Sequence, residues 1–247
     1  MLSASRPVVV IVPGAFGTPD GFATLATHLR DAGYATHPGP YPSCDPLDPV
    51  TVASSLDAAS LRDNVLLPLL NEKHEDVVII AHSYGGVVAG GAAKGLDKQM
   101  RMAQGQTTSV IGLIYIAGNI TLDGESLLKA PSKGLAVIEP AMDIMYNDCN
   151  RALAPELDQY MRPHALKAFE TNATAPAWAD RGFDGRRAYV RTLDDCCNPA
   201  SLQDIWLAKS KVEWDVVNFK TGHMPFVSQP EALAAQILKF VDGFMAQ

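Results

Sequence analysis

The chain has 247 residues, of which 47% are apolar and 19% are charged, and its formal net charge is −7. This composition is that of an ordinary globular protein, and it excludes the disordered, collagen-like and disulfide-scaffold classes. The length suits one α/β domain, or a core with a small insertion. The negative charge, without a clustered Lys/Arg block, disfavours nucleic acid and anionic membranes as partners.

The sequence gives no sign of export, of membrane spans or of metal binding. The longest apolar runs, residues 8–12 and 110–117, are too short to cross a bilayer, and the first residues lack the pattern of a secretory signal. The four cysteines include the adjacent pair Cys196 and Cys197, which suits no common zinc spacing. We therefore expect a cytoplasmic protein with reduced thiols and no metal.

Short apolar runs alternate along the chain with segments of helical periodicity. The Val/Ile runs at 8–12 and 77–80 are typical of strands that are buried on both faces, as in parallel sheets. Further strands are predicted before the proline-rich loop 38–49 and over 110–117, 188–190 and 212–219. This alternation predicts a doubly wound, mostly parallel α/β sheet.

Two amphipathic helices are expected to flank this sheet. One lies near 51–73, where apolar residues recur every four positions. The other is the last helix of the sequence, and Ser228 and Glu231 have the spacing of a capping box just ahead of it.

Residues 120–186 break the alternation, because they contain no buried-strand run and include several prolines. We predict a helical cap over 120–186, inserted into a core formed by 1–119 and 187–247. Large apolar side chains of the cap either face a substrate pocket or only hold the cap to the core, and the sequence leaves both open. These residues are Met142, Met145, Tyr146, Phe169 and Trp178.

A candidate nucleophile follows the strand predicted at 77–80. The sequence A-H-S-Y-G-G over residues 81–86 leads into a helix of small residues. This is the Gly-x-Ser-x-Gly nucleophile elbow with Ala in the first position, in which a sharp turn presents the Ser83 hydroxyl at the sheet edge. A second match, A-P-S-K-G around Ser132, has no buried strand before it and no such helix after it. We therefore select Ser83 and reject Ser132.

Six histidines compete for the role of general base. His223 follows the last predicted strand, and the carboxyl ends of parallel strands lie at one edge of the sheet, so His223 is expected near Ser83. The side chain of His82 is expected to point away from that of its neighbour Ser83. The other histidines are expected to lie on the surface or, for His164, in the cap. The sequence therefore predicts His223 as the base.

The remaining catalytic parts are an acid and an oxyanion hole. The strand before His223 ends in Asp194 and Asp195, and spacing alone does not choose between them. The first strand runs into P-G-A-F-G over residues 13–17, a turn that allows the backbone N–H of Ala15 to face the serine. Together with the N–H of Tyr84 it would form the oxyanion hole.

With these motifs in place, the sequence resembles the α/β-hydrolases over nearly its whole length. It is most similar to the small branch that holds plant methyl esterases acting on salicylate and jasmonate esters, hydroxynitrile lyases and fungal relatives. In that branch the acid lies six positions after a Tyr that starts the strand, with a Pro four positions further on. Counted from Tyr189, this places the acid at Asp195 and the proline at Pro199.

Departures from that branch reduce the alternatives. Pro13 stands where a His is usual, and Ala81 where a Gly is usual. Hydroxynitrile lyases that resemble this chain need a Thr in the oxyanion loop and a Lys after the catalytic His, and here Ala15 (or Gly14) and Met224 stand at those places. The lyase hypothesis is therefore a minor one.

The resemblance and the motifs predict a serine hydrolase that cleaves a small, fairly apolar ester, lactone or thioester without a cofactor. A carbon–carbon bond hydrolase, an acyl-transfer or cyclising enzyme, and a receptor-like protein with little turnover stay as alternatives. The partner is a small-molecule substrate, and a homodimer is possible but not required. The predicted pocket residues are Phe16, Met142, Met145, Tyr146, Trp178 and Met224.

Overall fold

The computed structural model describes residues 5–129 and 134–247. Its centre is a six-stranded parallel sheet in the order β2-β1-β3-β4-β7-β8. The strands of this sheet are β1 Val8–Val12, β2 Thr36–Pro38, β3 Val77–His82, β4 Val110–Ile116, β7 Arg187–Thr192 and β8 Asp215–Phe219. A separate antiparallel pair is formed by β5 Leu135–Ala136 and β6 His164–Ala165. The parallel sheet confirms the predicted fold class.

Ten α-helical segments surround the sheet in the described residues. They are α1 Ala23–Asp31, α2 Ser54–Leu61, α3 Gly85–Ala92, α4 Lys98–Ala103, α5 Ala141–Ile144, α6 Ala154–Asp158, α7 Leu166–Glu170, α8 Ala200–Ser210, α9 Pro225–Ser228 and α10 Pro230–Met245. None of these helices combines the length and the hydropathy that a bilayer span requires.

The alternation of side chains along the strands divides the core into two layers. Val8, Val10 and Val12 of β1 belong to one apolar cluster, whereas Val9 and Ile11 belong to the other. Helices α2 and α3 pack against each other in the first layer, and α1 packs against α10 in the second. Each β1 face is covered, which is why its sequence is continuously apolar.

The helix predicted near 51–73 is present, but its geometry changes along its length. After α2 the chain continues through two π-helical turns, Arg62–Leu66 and Pro68–Glu72. Pro68 has no backbone N–H to donate within the helix, so a local widening of the turn accommodates it. The predicted stripe is buried all the same, because Leu61, Val65 and Leu69 face the core.

The capping box predicted before the last helix does not form. Ser228 is the last residue of the short helix α9, and its buried hydroxyl has no hydrogen-bond partner within the described residues. The N-cap of α10 is Gln229, which makes no side-chain cap, and Pro230 begins the helix. The prediction of a capping box was therefore wrong, because Ser228 belongs to the preceding helix.

Residues 120–186 hold short helices together with the β5–β6 pair. Their last part is not separate from the core, because the turn Ala177–Ala179 packs against α3 and the turn Arg181–Phe183 against α4 and β4. Ser132, the rejected serine, lies outside the described residues.

Candidate active site

Ser83 lies at the turn between β3 and α3, and its backbone is held in a left-handed conformation with φ +49°. Its N–H donates to the carbonyl of Ile116 at 3.0 Å, and its own carbonyl accepts from the N–H of Asn119 at 2.9 Å. Both partners come from the end of β4 or the residues just after it. A non-glycine residue in this conformation is strained, and such strain is found where the surrounding structure fixes a functional side chain.

The two glycines after Tyr84 allow the turn to fit against its neighbours. A Cβ on Gly85 would lie 2.6 Å from the carbonyl oxygens of Val12 and Pro13. A Cβ on Gly86 would lie 2.7 Å from the carbonyl oxygen of Asn119. The elbow therefore requires residues without side chains at both positions.

His223 and Asp195 form a buried pair at the same edge of the sheet. Nδ1 of His223 is 2.8 Å from Oδ2 of Asp195, and both side chains are 0% exposed. The carboxylate accepts three further hydrogen bonds, from the Thr192 hydroxyl at 2.8 Å and from the N–H groups of Cys197 at 2.8 Å and Asn198 at 2.7 Å. These bonds fix the carboxylate, which in turn orients the imidazole.

Asp194, the alternative acid, is not part of this arrangement. Its side chain is exposed, while its backbone N–H donates to Thr221 and its carbonyl accepts from the Asn147 amide. Of the two candidates, the structure brings only Asp195 to His223.

The pair shifts the pKa values of both partners towards the charged forms. Burial acts to raise the pKa of Asp195, but the charge of His223 and the donated hydrogen bonds outweigh it, so the pKa is lowered. Burial acts to lower the pKa of His223, but the Cys197 thiol and the Asp195 carboxylate outweigh it, so the pKa is raised. His223 is thus a stronger base than an exposed histidine.

The second nitrogen of His223 is free to take a proton. Nε2 is buried and has no hydrogen-bond partner within the described residues. The Ser83 hydroxyl instead accepts a hydrogen bond from the side-chain amide of Asn198 at 3.4 Å. Asn198 also donates to the carbonyl of Ala117 at 3.1 Å, so one residue contacts Ser83 through its side chain and Asp195 through its backbone.

Asn198 was missed by the sequence analysis, although its position could have been considered. It lies three residues after Asp195 and directly before Pro199. The signal in the sequence was a polar residue in the loop that directly follows the predicted acid.

The loop predicted to form the oxyanion hole lies against Ser83. A Cβ on Gly14 would be 2.9 Å from Cβ of Ser83 and 2.6 Å from Nδ1 of His82. The backbone N–H groups of Ala15 and Tyr84 donate no hydrogen bond within the described part of the chain. Both donors are therefore available to a negatively charged oxygen.

Buried hydroxyl groups hold this loop and the elbow in place. The hydroxyl of Tyr41 is 3.0 Å from the carbonyl of Pro13 and 2.7 Å from that of Gly14. The hydroxyl of Tyr84 donates to Oδ2 of the fully buried Asp57 at 2.6 Å. Tyr41 and Asp57 are distant in sequence from every recognised motif, so no pattern indicated their roles.

His82 is also a positioning residue. It is 1% exposed, and its Nε2–H donates to the backbone carbonyl of His223 at 2.9 Å. Burial and the neighbouring His223 hold its pKa well below the ordinary value, so it stays neutral. Its side chain therefore supports the loop of the base, a contact that strand alternation alone did not predict.

The predicted pocket residues fall into different groups. Met145, Tyr146 and Met224 are buried in one apolar cluster, and Met142 packs against it. Tyr146 and Met224 line a narrow cleft together with Ala15. These residues form one wall beside the proposed oxyanion hole.

Phe16 and Trp178 belong to the other apolar cluster, which also contains Ala15 and Tyr84. Phe16 has φ +66° and faces His164 and Phe169 of the inserted segment. Trp178 lies in the core beside Gly90 of α3, with its ring 6.3 Å from that of Trp214. Trp178 does not line the cleft of Tyr146 and Met224, because the turn that carries it packs against α3.

Within the described residues, no group of three or more His, Cys, Asp or Glu side chains is arranged to hold a metal ion. The polar groups at this edge of the sheet are the Ser83 hydroxyl, the His223 imidazole, the Asp195 carboxylate and the backbone N–H groups of Ala15 and Tyr84. They can perform nucleophilic acyl chemistry.

A parallel sheet that presents a strained serine beside a buried His–Asp pair has the architecture of the α/β-hydrolase class. The model of the alpha/beta hydrolase family matches residues 9–236. The chain belongs to the alpha/beta hydrolase family.

Curated and solved relatives agree with this assignment. The chain is 25% identical over 248 residues to the alpha/beta hydrolase nvfD of Aspergillus novofumigatus, covering 94% of this chain and 95% of that protein. Its fold is similar to that of the methylesterase MES16 from Arabidopsis, with TM-score 0.72, 18% identity and coverage of 96% and 99%. Polyneuridine aldehyde esterase is similar at TM-score 0.70, 16% identity and coverage of 95% and 99%. These structural likenesses show the fold.

Proposed function

We propose that this protein is a serine hydrolase that cleaves a small, fairly apolar ester, lactone or thioester through an acyl-enzyme on Ser83. The observation that carries the proposal is the buried His223–Asp195 pair, whose free Nε2 lies at the same sheet edge as the strained Ser83. Relatives in fold include two proteins described as esterases, which supports an ester as the substrate.

The first step is attack of Ser83 on the substrate carbonyl. The Ser83 hydroxyl turns from Asn198 towards His223, whose Nε2 takes the proton while Oγ bonds to the carbonyl carbon. Asp195 stabilises the imidazolium that forms. The carbonyl oxygen becomes an oxyanion and accepts hydrogen bonds from the N–H groups of Ala15 and Tyr84.

The intermediate then collapses and the acyl-enzyme is hydrolysed. His223 returns its proton to the leaving alcohol or thiol, so that the acyl group remains on Ser83. A water molecule gives a proton to His223 and adds to the acyl carbon. The second intermediate releases the carboxylic acid, and Ser83 regains its proton.

The walls of the site support a small, apolar acyl or leaving group. Tyr146 and Met224, which line the narrow cleft together with Ala15, are almost fully buried. Ser83 itself is 8% exposed. A substrate therefore has to be compact, and most of its contacts are with apolar side chains.

The test is hydrolysis of p-nitrophenyl acetate and butyrate by the wild type and by Ser83→Ala. We expect a burst of nitrophenolate followed by steady turnover, and loss of both in the variant. Ser132→Ala, in the rejected motif, is the matched control and is expected to behave like the wild type.

The other outcomes of this test favour other hypotheses. A Ser83-dependent burst without turnover would favour a receptor-like protein or an acyltransferase that needs an acceptor. Absence of any Ser83-dependent signal would contradict the esterase proposal and direct the search to carbon–carbon substrates and cyanohydrins.

A further inference from the structure

The narrow cleft beside the predicted oxyanion hole contains a hydrogen-bond acceptor that the proposed mechanism does not use. Gly14, His82 and Met224 are among the residues that line this cleft. Its volume is about 10 Å³, which is about the space that one water molecule requires. The cleft therefore fits a ligand of the size of water.

The contact of His82 with a carbonyl group determines which of its ring nitrogens carries the proton. Nε2 of His82 is 2.9 Å from the backbone oxygen of His223. A carbonyl oxygen has no proton to give, so Nε2 carries the hydrogen and donates it. Burial and the neighbouring His223 hold the pKa of His82 well below its ordinary value, so the ring keeps only this proton. Nδ1 of His82 is therefore a bare acceptor, and none of the described residues donates to it.

The glycine at position 14 leaves this acceptor open. A Cβ on Gly14 would lie 2.6 Å from Nδ1 of His82 and 2.9 Å from Cβ of Ser83. The acceptor and the carbon that carries the Ser83 hydroxyl thus flank the same point. The ring centres of His82 and His223 are 4.6 Å apart. A small molecule that is bound to Nδ1 is therefore close to Ser83 and to His223.

The cleft continues into a wider groove that opens to solvent. Gly21, Tyr160 and Phe226 line both the cleft and the groove. The groove has a volume of about 200 Å³, and the exposed Asp20 and Glu156 lie on it. The passage narrows at Gly21, where a Cβ would lie 3.8 Å from Cβ of Tyr160. Water has a route from solvent to the cleft, whereas a larger molecule meets this constriction first.

We propose that the cleft holds the water molecule that hydrolyses the acyl-enzyme, and that its size selects water over alcohols as the acyl acceptor. One O–H of the water donates to Nδ1 of His82. The other gives its proton to Nε2 of His223 while the oxygen bonds to the acyl carbon. The intermediate then releases Oγ of Ser83, which takes the proton from His223, and the carboxylic acid leaves. This inference rests on the proposed function, because it names the acceptor that the same site uses.

The first test measures which acceptor takes the acyl group. p-Nitrophenyl butyrate is cleaved in water with equal concentrations of methanol and 1-butanol, and the butyrate esters are quantified by gas chromatography. We expect the wild type to transfer about tenfold less acyl group to 1-butanol than to methanol, because the longer chain does not fit the cleft. Tyr160→Ala removes the ring at the constriction and should raise transfer to 1-butanol about tenfold.

The matched control for this test is Leu153→Ala, which changes the groove but not the cleft. It should keep the wild-type ratio of the two esters. Equal transfer to both alcohols by the wild type, or a ratio that Tyr160→Ala leaves unchanged, would overturn the selection by size.

Two substitutions of His82 separate its contact with water from its contact with the loop of the base. His82→Gln can keep an N–H near the Nε2 position but lacks the acceptor at Nδ1, so deacylation should slow about tenfold while acylation stays within about threefold. His82→Asn can keep an acceptor near the Nδ1 position but loses the donor to His223, so both rates should fall together. Stopped-flow records of the nitrophenolate burst and steady state give both rates. Equal losses of both rates in His82→Gln would overturn the role of Nδ1.

A spectroscopic test separates the inference from the proposed function. The nitrogen chemical shift of Nδ1, measured on isotope-labelled protein without substrate, shows whether this atom accepts a hydrogen bond. We expect the shift of a hydrogen-bonded acceptor in the wild type and of a free acceptor in Gly14→Ala, whose methyl group would cover Nδ1. If this variant does not fold, the wild-type shift decides alone.

A free-acceptor shift of His82 in the wild type, or a shift that Gly14→Ala leaves unchanged, overturns the water site even where esters are hydrolysed. A hydrogen-bonded shift that is lost in Gly14→Ala supports the water site. Absence of Ser83-dependent turnover beside such a shift counts against the hydrolase proposal only.

Discussion

At the scale of single residues, the site depends on a few contacts around one carboxylate. Asp195 accepts from His223, Thr192, Cys197 and Asn198, while the adjacent Asp194 is exposed. The difference arises because neighbouring side chains at a strand end diverge. Two carboxylates that are adjacent in sequence thus provide a matched pair for mutagenesis.

Replacing Asp195 by Asn should lower kcat by about 10³- to 10⁴-fold, because the amide neither fixes the imidazole tautomer nor stabilises the imidazolium. Asp194→Asn should stay within about threefold of the wild type, because its side chain contacts no reacting group. Steady-state kinetics on p-nitrophenyl butyrate measure both. A larger loss in Asp194→Asn than in Asp195→Asn would reverse the assignment.

The raised pKa of His223 predicts the pH dependence of activity. The base must be neutral to take the serine proton, so kcat/KM should fall as the pH drops below the pKa of the free enzyme. Since that pKa is raised, the acidic limb of the plot of kcat/KM against pH should have its midpoint above pH 6.5, which is about the ordinary pKa of a histidine. In Asp195→Asn the limb should move to lower pH. A wild-type limb below pH 6 would contradict the ion pair.

Asn198→Leu tests the contact between the side-chain amide and Ser83. The backbone N–H to Asp195 stays, so only the donor to Ser83 and to Ala117 is lost. We expect kcat to fall roughly tenfold with little change in KM, because the variant loses about one hydrogen bond to Ser83. A pure KM effect would instead assign Asn198 to substrate binding. Thermal unfolding serves as the control for folding.

At the scale of elements, the predictable parts were those that local sequence determines. The strands β1, β3 and β4 were found because both of their faces are buried. The turn around Ser83 was found because its close approach to β1 demands small residues. The prediction of a capping box was wrong because Ser228 is the last residue of another helix, α9. Such competition between neighbouring elements is not visible in a four-residue pattern.

Gly85→Ala should disturb the elbow, because the new methyl group would meet two carbonyl oxygens at the end of β1. We expect a loss of about 1–3 kcal/mol in the free energy of unfolding, together with lower activity. The control is Gly243→Ala in α10, where a Cβ would have no atom within 4 Å. It should stabilise the helix by about 0.5–1 kcal/mol. Chemical denaturation of both variants measures these changes in the free energy of unfolding.

At the scale of the whole molecule, the proposed catalytic residues come from separate strands. Ser83 follows β3, Asp195 follows β7 and His223 follows β8. The common edge of a parallel sheet makes this convergence predictable. What the sequence could not show is the support behind it, because Tyr41, Asp57 and His82 act through contacts between distant segments that have no local signature.

The buried ion pair also makes global stability depend on pH. Asp195, with a lowered pKa, contributes stability above about pH 3.9, which is lost as the pH falls through its folded value. His223, with a raised pKa, contributes stability below about pH 6.5, which is lost as the pH rises through its folded value. The destabilisation by Asp195→Asn should therefore be largest between about pH 4 and 6.5. Urea denaturation across this range measures it, and a flat difference would argue against the pair.

The distribution of the proposed catalytic groups over three strands has a practical consequence. In an unfolded chain Ser83 is an ordinary hydroxyl, since His223 and the oxyanion donors reach it only when β3, β7 and β8 are assembled in one sheet. Under the proposed function, a fluorophosphonate would then modify one serine per native molecule and none in a denatured one. Stoichiometric labelling thus counts the correctly folded fraction of a preparation, independently of its substrate.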